Sequence, residues 1–374
     1  MRSFYDSIFF NVPPLRFPKF TEEWETKPIN DLAVVIGGGT PDTTVKSYWD
    51  GEIQWFTPSE IGKTKYVDLS LRTITEDGLN NSSAKRLPPN TILLSSRATI
   101  GECSLSLREC ATNQGFQSLV SKKCNVDFLY YLIQTKKNDL IRKSCGSTFL
   151  EISANEVRKI QVSIPSDVEQ QKIAGLLSLI DERIATQNKI IERLETLIKG
   201  ITQNITLHNK PNVRISECLE CTSSTLQESD ALRSGTYPVY GANGIVGYLD
   251  NYSTQDEAVY IIKDGSGVGT VSYVTGQCST TGTLNTLQAK EGYSLQYLYY
   301  ILKVFNFEPY KTGMAIPHIY FKDYGKAKIF CPSYTKQLQY ARLLSAIDGK
   351  VSTEQNSLAS LSLQKQYLLR QMFI

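Results

Sequence analysis

The chain has 374 residues, which is enough for two or more domains that each bury a hydrophobic core. Its apolar content of 41% is typical of a globular protein, and its net charge of +3 permits a nucleic-acid partner without indicating one. No apolar run approaches the roughly 18 residues of a membrane-spanning helix, and two histidines make a zinc site unexpected. Eight scattered cysteines and the absence of a convincing signal peptide at the N-terminus predict a cytoplasmic protein without a membrane partner.

Taken in chain order, short runs of β-branched and apolar residues predict strands at 34–36, 91–94 and 160–164 in the first half. A stretch lined with leucine and tyrosine predicts a helix over 126–143. The second half repeats this pattern, with strands at 258–262 and 328–330 and a helix at 294–304. Mixed short strands and helices indicate an α+β unit in each half.

A long helix is predicted over 166–209, opened by a Ser166–Glu169 capping box and stopped by Asn209 and Pro211. A second long helix is predicted over 333–374. Both carry apolar residues at alternating spacings of three and four, which is the seam of a coiled coil. The seam residues are Leu177, Ile180, Ile184, Ile191, Leu194 and Ile201, followed by Leu344, Ile347, Val351, Leu358, Leu361 and Leu368.

The two long helices belong to an internal repeat. EQQKIAGLLSLIDERI, which starts at Glu169, recurs 167 residues later as KQLQYARLLSAIDGKV, which starts at Lys336. If the ends of the second globular unit lie close together, the second helix returns along the first, so we expect an antiparallel pair. The resulting organisation is a pseudo-twofold tandem repeat with domains at 1–165 and 210–332 and spacer helices at 166–209 and 333–374.

Glycine-rich stretches at 37–41 and 265–269 lack the lysine of a phosphate-binding P-loop. They are either tight turns or places where the backbone approaches a DNA phosphate, and the sequence leaves both interpretations open. No motif of a methyltransferase, a nuclease or a hydrolytic triad is evident. The chain is therefore expected to be non-catalytic and to carry no metal or cofactor of its own.

Several motifs carry a resemblance to a known family. In the first half they are WETKPINDL from Trp24, WFTPSEI from Trp55 and LSSRATIG from Leu94. In the second half they are YPVYGANGIVGY from Tyr237 and KDGSGVG from Lys263. In this order around two long helices, they resemble the specificity subunits of type I restriction–modification systems, over nearly the whole chain.

The resemblance implies two target recognition domains, each reading one half of a bipartite sequence in double-stranded DNA, separated by antiparallel helices that set the unread gap. It also implies that the helices dock methyltransferase subunits, expected to be two, and that an endonuclease–translocase joins through them. S-adenosylmethionine and ATP with Mg would then bind to those partners. One departure stands out, because Lys336-Gln-Leu-Gln replaces the Glu-Gln-Gln that opens the first helix.

Candidate DNA contacts are polar, basic or aromatic residues on loops of both halves. In the first half they are Lys63, Lys65, Arg72, Arg97, Asn113 and Gln114. In the second half they are Tyr240, Asn243, Lys263, Ser266, Lys311 and His318. Aligned at an offset of 168, Lys263-Asp264-Gly265 corresponds to Ser95-Ser96-Arg97. Each candidate is alternatively an ordinary solvated side chain.

Two other classes of protein compete with a DNA specificity subunit. One is an enzyme, for instance a stand-alone DNA methyltransferase or nuclease, which would transfer methyl groups without any partner. The other is a coiled-coil scaffold with no role on DNA, which would show no salt-dependent retention of DNA even in a complex.

Overall fold

A computed structural model describes residues 12–146, 150–313 and 315–374. Most of the N-terminal stretch, for which the sequence predicts no signal peptide, lies outside these residues. The chain forms two compact units: unit 1 lies within 12–188 and 357–374, and unit 2 is 189–356.

The described residues of unit 1 form ten strands and several helices. The strands are β1 (Glu25–Pro28), β2 (Ala33–Gly37), β3 (Trp49–Phe56), β4 (Tyr66–Val67), β5 (Arg72–Ile74), β6 (Ile92–Leu94), β7 (Cys103–Ser106), β8 (Cys110–Thr112), β9 (Gln117–Ser121) and β10 (Gln161–Ile164). The helices are α1 (Ile29–Leu32), α2 (Glu76–Asn80), α3 (Val126–Thr135), α4 (Lys137–Arg142), α5 (Ala154–Lys159) and the long α6 (Asp167–Leu207), whose second half belongs to unit 2.

Unit 2 contains nine strands among its described residues. They are β11 (Val213–Arg214), β12 (Leu219–Ser223), β13 (Tyr237–Gly241), β14 (Gly244–Leu249), β15 (Glu257–Ile262), β16 (Val271–Thr275), β17 (Ser279–Thr280), β18 (Leu284–Ala289) and β19 (Lys328–Ile329). Its helices are α7 (Ile215–Cys218), α8 (Leu295–Val304), α9 (Phe321–Tyr324) and α10 (Tyr334–Gln371), whose last part belongs to unit 1.

The sheets of the two units have matching strand orders. Unit 1 has a sheet in the order β2-β9-β6-β7-β4, and unit 2 has one in the order β12-β18-β15-β16. Parallel pairs join β3 to β8 in unit 1 and β13 to β17 in unit 2. Two-stranded sheets β1-β10 and β11-β19 complete the correspondence. The predicted α+β tandem repeat is confirmed, and each predicted strand and helix listed above coincides with one in the structure, except that the helix over 126–143 is interrupted at Lys136.

Both long helices take part in each unit. Unit 1 holds the first half of α6 and the last part of α10, which is the arrangement of an antiparallel pair. Asp181 of α6 forms an ion pair with Lys365 of α10 at 2.7 Å, and Leu177 shares a core cluster with Met372. Burying a single side chain of this size contributes about 1.5–3 kcal/mol, so Leu177 and Met372 each stabilise the unit 1 core by roughly that amount.

Each of the predicted seam residues is buried or half-buried. In α6 the buried ones are Leu177, Ile180 and Ile191, and the half-buried ones are Ile184, Leu194 and Ile201. In α10 the buried ones are Leu344, Val351 and Leu368, and the half-buried ones are Ile347, Leu358 and Leu361. The heptad spacing thus identifies the inward-facing stripe of both helices.

Candidate nucleic-acid interface

The glycine-rich stretch of unit 1 packs against the unit's own backbone. The amide of Gly39 donates to the carbonyl oxygen of Thr112 at 2.8 Å, and a Cβ on Gly38 would lie 1.9 Å from the carbonyl oxygen of Asn113. The missing side chain is therefore needed for this close approach of two protein segments. This contact brings the loop after β2 beside the loop after β8.

Two candidate residues, Asn113 and Gln114, lie on that loop after β8. The Asn113 Oδ1 accepts a hydrogen bond from the amide of Gly115 at 2.8 Å, which fixes the turn. Gln114 is exposed, and its Oε1 accepts from the hydroxyl of Thr40 in the glycine-rich stretch. Gln114 therefore offers its amide nitrogen to a ligand, whereas the Asn113 carbonyl oxygen already has a structural partner.

Two tryptophans connect Arg72 to the glycine-rich stretch of unit 1. Its guanidinium lies 3.5 Å from the ring centroid of Trp49, which meets Trp55 edge to face at 5.1 Å. The Nε1 of Trp55 donates to the carbonyl oxygen of Gly39 at 2.9 Å. The stacking holds the exposed cation of Arg72 in a defined orientation and leaves its donors available.

The two candidate lysines of unit 1 have different surroundings. Lys63 is exposed on the loop before β4. The Nζ of Lys65 pairs with Asp127 at 2.6 Å and donates to Ser178 of α6 at 2.7 Å, and its side chain is only 6% exposed. Lys65 therefore fastens its loop to α3 and α6, and its ammonium is engaged within unit 1.

Arg97 lies just after the C-terminal end of β6, the central strand of the five-stranded sheet. It forms an ion pair with Glu151 at 2.9 Å, and the backbones of these two residues also form an isolated β-bridge. Both side chains are more than a third exposed, so solvent screens the pair and its contribution to stability is small. Arg97 remains a candidate that would have to exchange Glu151 for a DNA acceptor.

Four candidates of unit 2 lie on two loops that run side by side. His318 forms β-bridges with Asp264 and with Thr312, and its neighbour Ile319 donates its amide to the carbonyl oxygen of Lys263 at 2.9 Å. These contacts bring together four of the predicted residues, Lys263, Ser266, Lys311 and His318. Gly265 has a φ of +97°, so this glycine-rich stretch is a turn that requires glycine.

The remaining candidates, Tyr240 and Asn243, belong to the β13–β14 hairpin. The ring of Tyr240 lies 5.7 Å from that of Tyr260, and burial raises the pKa of the Tyr240 hydroxyl. Asn243 is exposed in the turn before Gly244. Tyr240 therefore helps to hold the hairpin against β15, while Asn243 is free to reach a ligand.

The residues that follow β6 in unit 1 and β15 in unit 2 align differently in the structure than the sequence predicts, by one position. The amide of Ser96 donates to Gly115 and its carbonyl accepts from Ile152, and Lys263 makes the same two bonds with Thr283 and Ile319. Ser96 therefore corresponds to Lys263, and Arg97 to Asp264. The predicted offset of 168 is wrong here, although it holds again at Gly101 and Gly269, where the amides donate to Ser95 and Ile262.

Sequence reasoning missed a pair of glutamines that join each domain to a long helix. Gln170 accepts from the amide of Asn125 at 3.0 Å and donates to the carbonyl oxygen of Pro165 at 3.0 Å. Gln337 does the same with Ser294 at 2.9 Å and Pro332 at 2.9 Å. The signal was visible in the repeat, because these glutamines are 167 residues apart and both are retained where the surrounding motif differs.

Among the described residues, no helix is long and apolar enough to cross a membrane. No group of three or more His, Cys, Asp or Glu side chains in that part of the chain is placed to hold a metal ion.

Comparison with known proteins identifies the family. A family model described as "Type I restriction modification DNA specificity domain" matches twice, over residues 21–196 and 210–363. A specificity subunit of the type I restriction enzyme MjaIX from Methanocaldococcus jannaschii is 38% identical over 50% of this chain, an alignment that spans only 44% of that relative. The EcoprrI specificity subunit from Escherichia coli is 25% identical over 93% of this chain and 92% of its own length.

Solved structures show the same fold. The S subunit of a type I restriction–modification system from M. genitalium superposes with a TM-score of 0.65 at 18% identity, covering 97% of this chain and 99% of that one. A chain from a study of the assembly of the type I system superposes with a TM-score of 0.54 at 16% identity, covering 96% and 98%. With two matches that together span most of its length, the chain belongs to the type I restriction–modification DNA specificity family.

Proposed function

We propose that this chain is the subunit that selects the DNA sequence for a type I restriction–modification complex. Unit 1 reads one part of a bipartite target in double-stranded DNA, and unit 2 reads the other. The observation that carries the proposal is the repeated backbone with different side chains at its loops: exposed Arg72 and Gln114 in unit 1, and Lys263 with His318 in unit 2. Two readers on one kind of frame suit a target with two different halves.

Methyl transfer and cleavage would belong to partner subunits. We propose that two methyltransferase subunits, carrying S-adenosylmethionine, dock on the long helices, and that an endonuclease–translocase using ATP and Mg joins through them. Large apolar side chains on the outer faces of the helices support a docking role. They are Leu179, Leu197, Leu343, Leu363 and Tyr367, each at least 49% exposed.

The test is genome-wide mapping of N6-methyladenine in cells that express the cognate methyltransferase with and without this chain. We expect methylation at one motif made of two short defined parts around an unread gap, and its loss when the chain is absent. The same motif without the chain would contradict the proposal. Methyl transfer to DNA by the purified chain alone would instead support an enzyme.

A further inference from the structure

Unit 2 has a pocket where three of its strands end, which we call the strand-end pocket. It has a volume of about 410 Å³. It lies beside the loop of predicted DNA-binding residues after β15. Its lining includes two cations, Lys263 and Lys322, one carboxylate, Asp264, and the polar or aromatic side chains of Cys221, Ser223, Asn285 and Tyr320.

The floor of the strand-end pocket is a fixed amide. Asn285 is only 3% exposed; its Oδ1 accepts from the hydroxyl of Ser223 at 3.2 Å, and its Nδ2 donates to the hydroxyl of Tyr324 at 3.0 Å. These bonds set the orientation of the amide and leave one N–H and one lone pair of Asn285 without a protein partner. The floor therefore offers both a donor and an acceptor.

Lys263 supplies a positive charge to this pocket. Its backbone is held on both sides, by Thr283 and Ile319, and its half-buried side chain forms no ion pair or hydrogen bond with the described residues. The charge acts inside the pocket, because Lys263 lowers the pKa of the Cys221 thiol, which burial raises to about 11. The Lys263 and Lys322 ammonium groups outnumber the single carboxylate of Asp264 in the lining, so the pocket favours a ligand that offers hydrogen-bond acceptors.

The ligand would enter past Tyr320 and Lys322. Tyr320 is 47% exposed, and the Lys322 ammonium lies 5.1 Å from its ring centroid. The ring of Tyr320 adds an aromatic surface to the entrance of the pocket, and Lys322 adds a second positive charge with further hydrogen-bond donors. Both residues lie on the same loop and helix start as Ile319, whose amide binds the Lys263 carbonyl.

Unit 1 has the same backbone at this place but different chemistry. Ser96 stands where unit 2 has Lys263, Gln117 where it has Asn285, and Gly37 where it has Ser223. Ser96 is 0% exposed, and neither its Oγ nor the Oε1 of Gln117 has a hydrogen-bond partner among the described residues. The same frame thus carries a fully buried serine in unit 1 and a half-buried lysine that lines a pocket in unit 2.

We propose that the strand-end pocket determines sequence specificity in unit 2, with Lys263 donating to the N7 and O6 acceptors of a guanine in the half of the target that this unit reads. The inference rests on the proposed function. Guanine is the base that presents two adjacent acceptors in the major groove, and lysine is one of the side chains that commonly bind them. Because the corresponding residue of unit 1 is the buried Ser96, the effect is expected in the half of the target that unit 2 reads.

The test is Lys263→Met in the complex with the methyltransferase, with Lys326→Met as the control. Lys326 is a lysine of the same unit whose side chain is 76% exposed. In the methylation map we expect Lys263→Met to lower the preference for guanine at one position roughly 10- to 100-fold. The other half of the motif should stay unchanged, which also shows that the complex still folds and binds. Lys263→Arg should keep the guanine, because arginine offers equivalent donors.

Three outcomes separate the interpretations. A uniform loss of DNA binding with an unchanged motif, and a salt dependence that falls by about one phosphate contact, would assign Lys263 to the DNA backbone and overturn base reading. An unchanged motif and affinity would overturn the role of the pocket altogether. A wild-type complex whose methylation has no bipartite motif would instead contradict the proposed function itself.

Occupancy of the strand-end pocket can be measured without any substitution. Alkylation of Cys221 by N-ethylmaleimide, followed by peptide mass spectrometry, should slow when the complex binds a duplex that contains its motif. A duplex of scrambled sequence should protect this thiol less. An alkylation rate on target DNA equal to the rate without DNA would show that the pocket stays empty, and equal protection by both duplexes would show that it does not read sequence. Either result would overturn the proposal.

Discussion

The long helix of unit 1 begins at a buried ion pair, whereas the matching position of unit 2 is exposed. Both carboxylate oxygens of Glu169, which the sequence placed in a capping box, accept from Arg16 at 2.7 Å. The corresponding residue in unit 2 is the exposed Lys336. The next residue, Gln170 or Gln337, makes the same two bonds in both units. Contacts that occur in both units, such as those of Gln170 and Gln337, therefore belong to the common fold. A contact found in one unit only, such as the Arg16–Glu169 ion pair, is specific to that unit.

The largest expected effect comes from breaking the ion pair that only unit 1 has. Glu169 is 1% exposed, so Glu169→Gln would leave the Arg16 guanidinium buried without its counter-charge. We expect the free energy of unfolding of unit 1 to fall by about 3–5 kcal/mol. Urea unfolding followed by circular dichroism measures it. The matched control is Lys336→Gln, which should change the stability of unit 2 by less than about 0.5 kcal/mol. Equal losses from both variants would contradict the difference between the units.

A smaller effect, equal in the two units, is expected from the shared glutamines. Gln170→Leu leaves the Asn125 amide and the Pro165 carbonyl without their partner, and Gln337→Leu does the same to Ser294 and Pro332. Each should lower the free energy of unfolding of its own unit by about 2–3 kcal/mol, since buried polar groups then lack hydrogen bonds.

Two exposed glutamines of the same helical turns provide the controls for this prediction. Gln171→Leu and Gln339→Leu should leave both unfolding transitions within about 0.5 kcal/mol of the wild type. A loss in one unit only would show that the glutamine is not part of the common frame.

The repeat, the long helices and the domain type could be predicted from the sequence because each rests on a long periodic pattern. A seam of apolar residues that extends over about seven turns in each long helix averages out local exceptions. The alignment of Ser96 with Lys263 could not be predicted from the sequence. Unit 2 has one more residue between Lys263 and Gly269 than unit 1 has between Ser96 and Gly101. Only the backbone hydrogen bonds on both sides of the turn show where that residue is inserted.

Lys65 shows a second reason why parts of the candidate site could not be predicted from the sequence. A lysine on a polar loop has the composition of a DNA contact, but its Nζ binds Ser178, a residue 113 positions away along the chain. Contacts of that range depend on how the loop folds back onto α6, and no local pattern encodes them. The strand-end pocket has the same origin, because its residues come from four separate segments of unit 2.

The smallest expected effects come from two glycines that the repeat does not share. Gly175 lies in the unit 1 part of α6 and Gly349 in the unit 2 part of α10, and a Cβ at either would have no atom within 4 Å. Gly175→Ala and Gly349→Ala should each raise the free energy of unfolding by about 0.5–1 kcal/mol, because alanine restricts the unfolded chain and favours the helix. Thermal unfolding of the isolated chain measures this.

The same two variants also probe the outer faces of the helices. A docked subunit that approaches the backbone closely would be displaced by a methyl group, so co-purification with the methyltransferase should weaken for a glycine inside the interface. Gly265→Ala is the contrasting variant, because it should destabilise the isolated chain where the two helical variants stabilise it. The φ of Gly265 is +97°, and alanine in this conformation is unfavourable by about 1–2 kcal/mol. A stabilised chain that loses its partner would assign that glycine to docking, whereas a stabilised chain that keeps it would place the interface elsewhere on the helix.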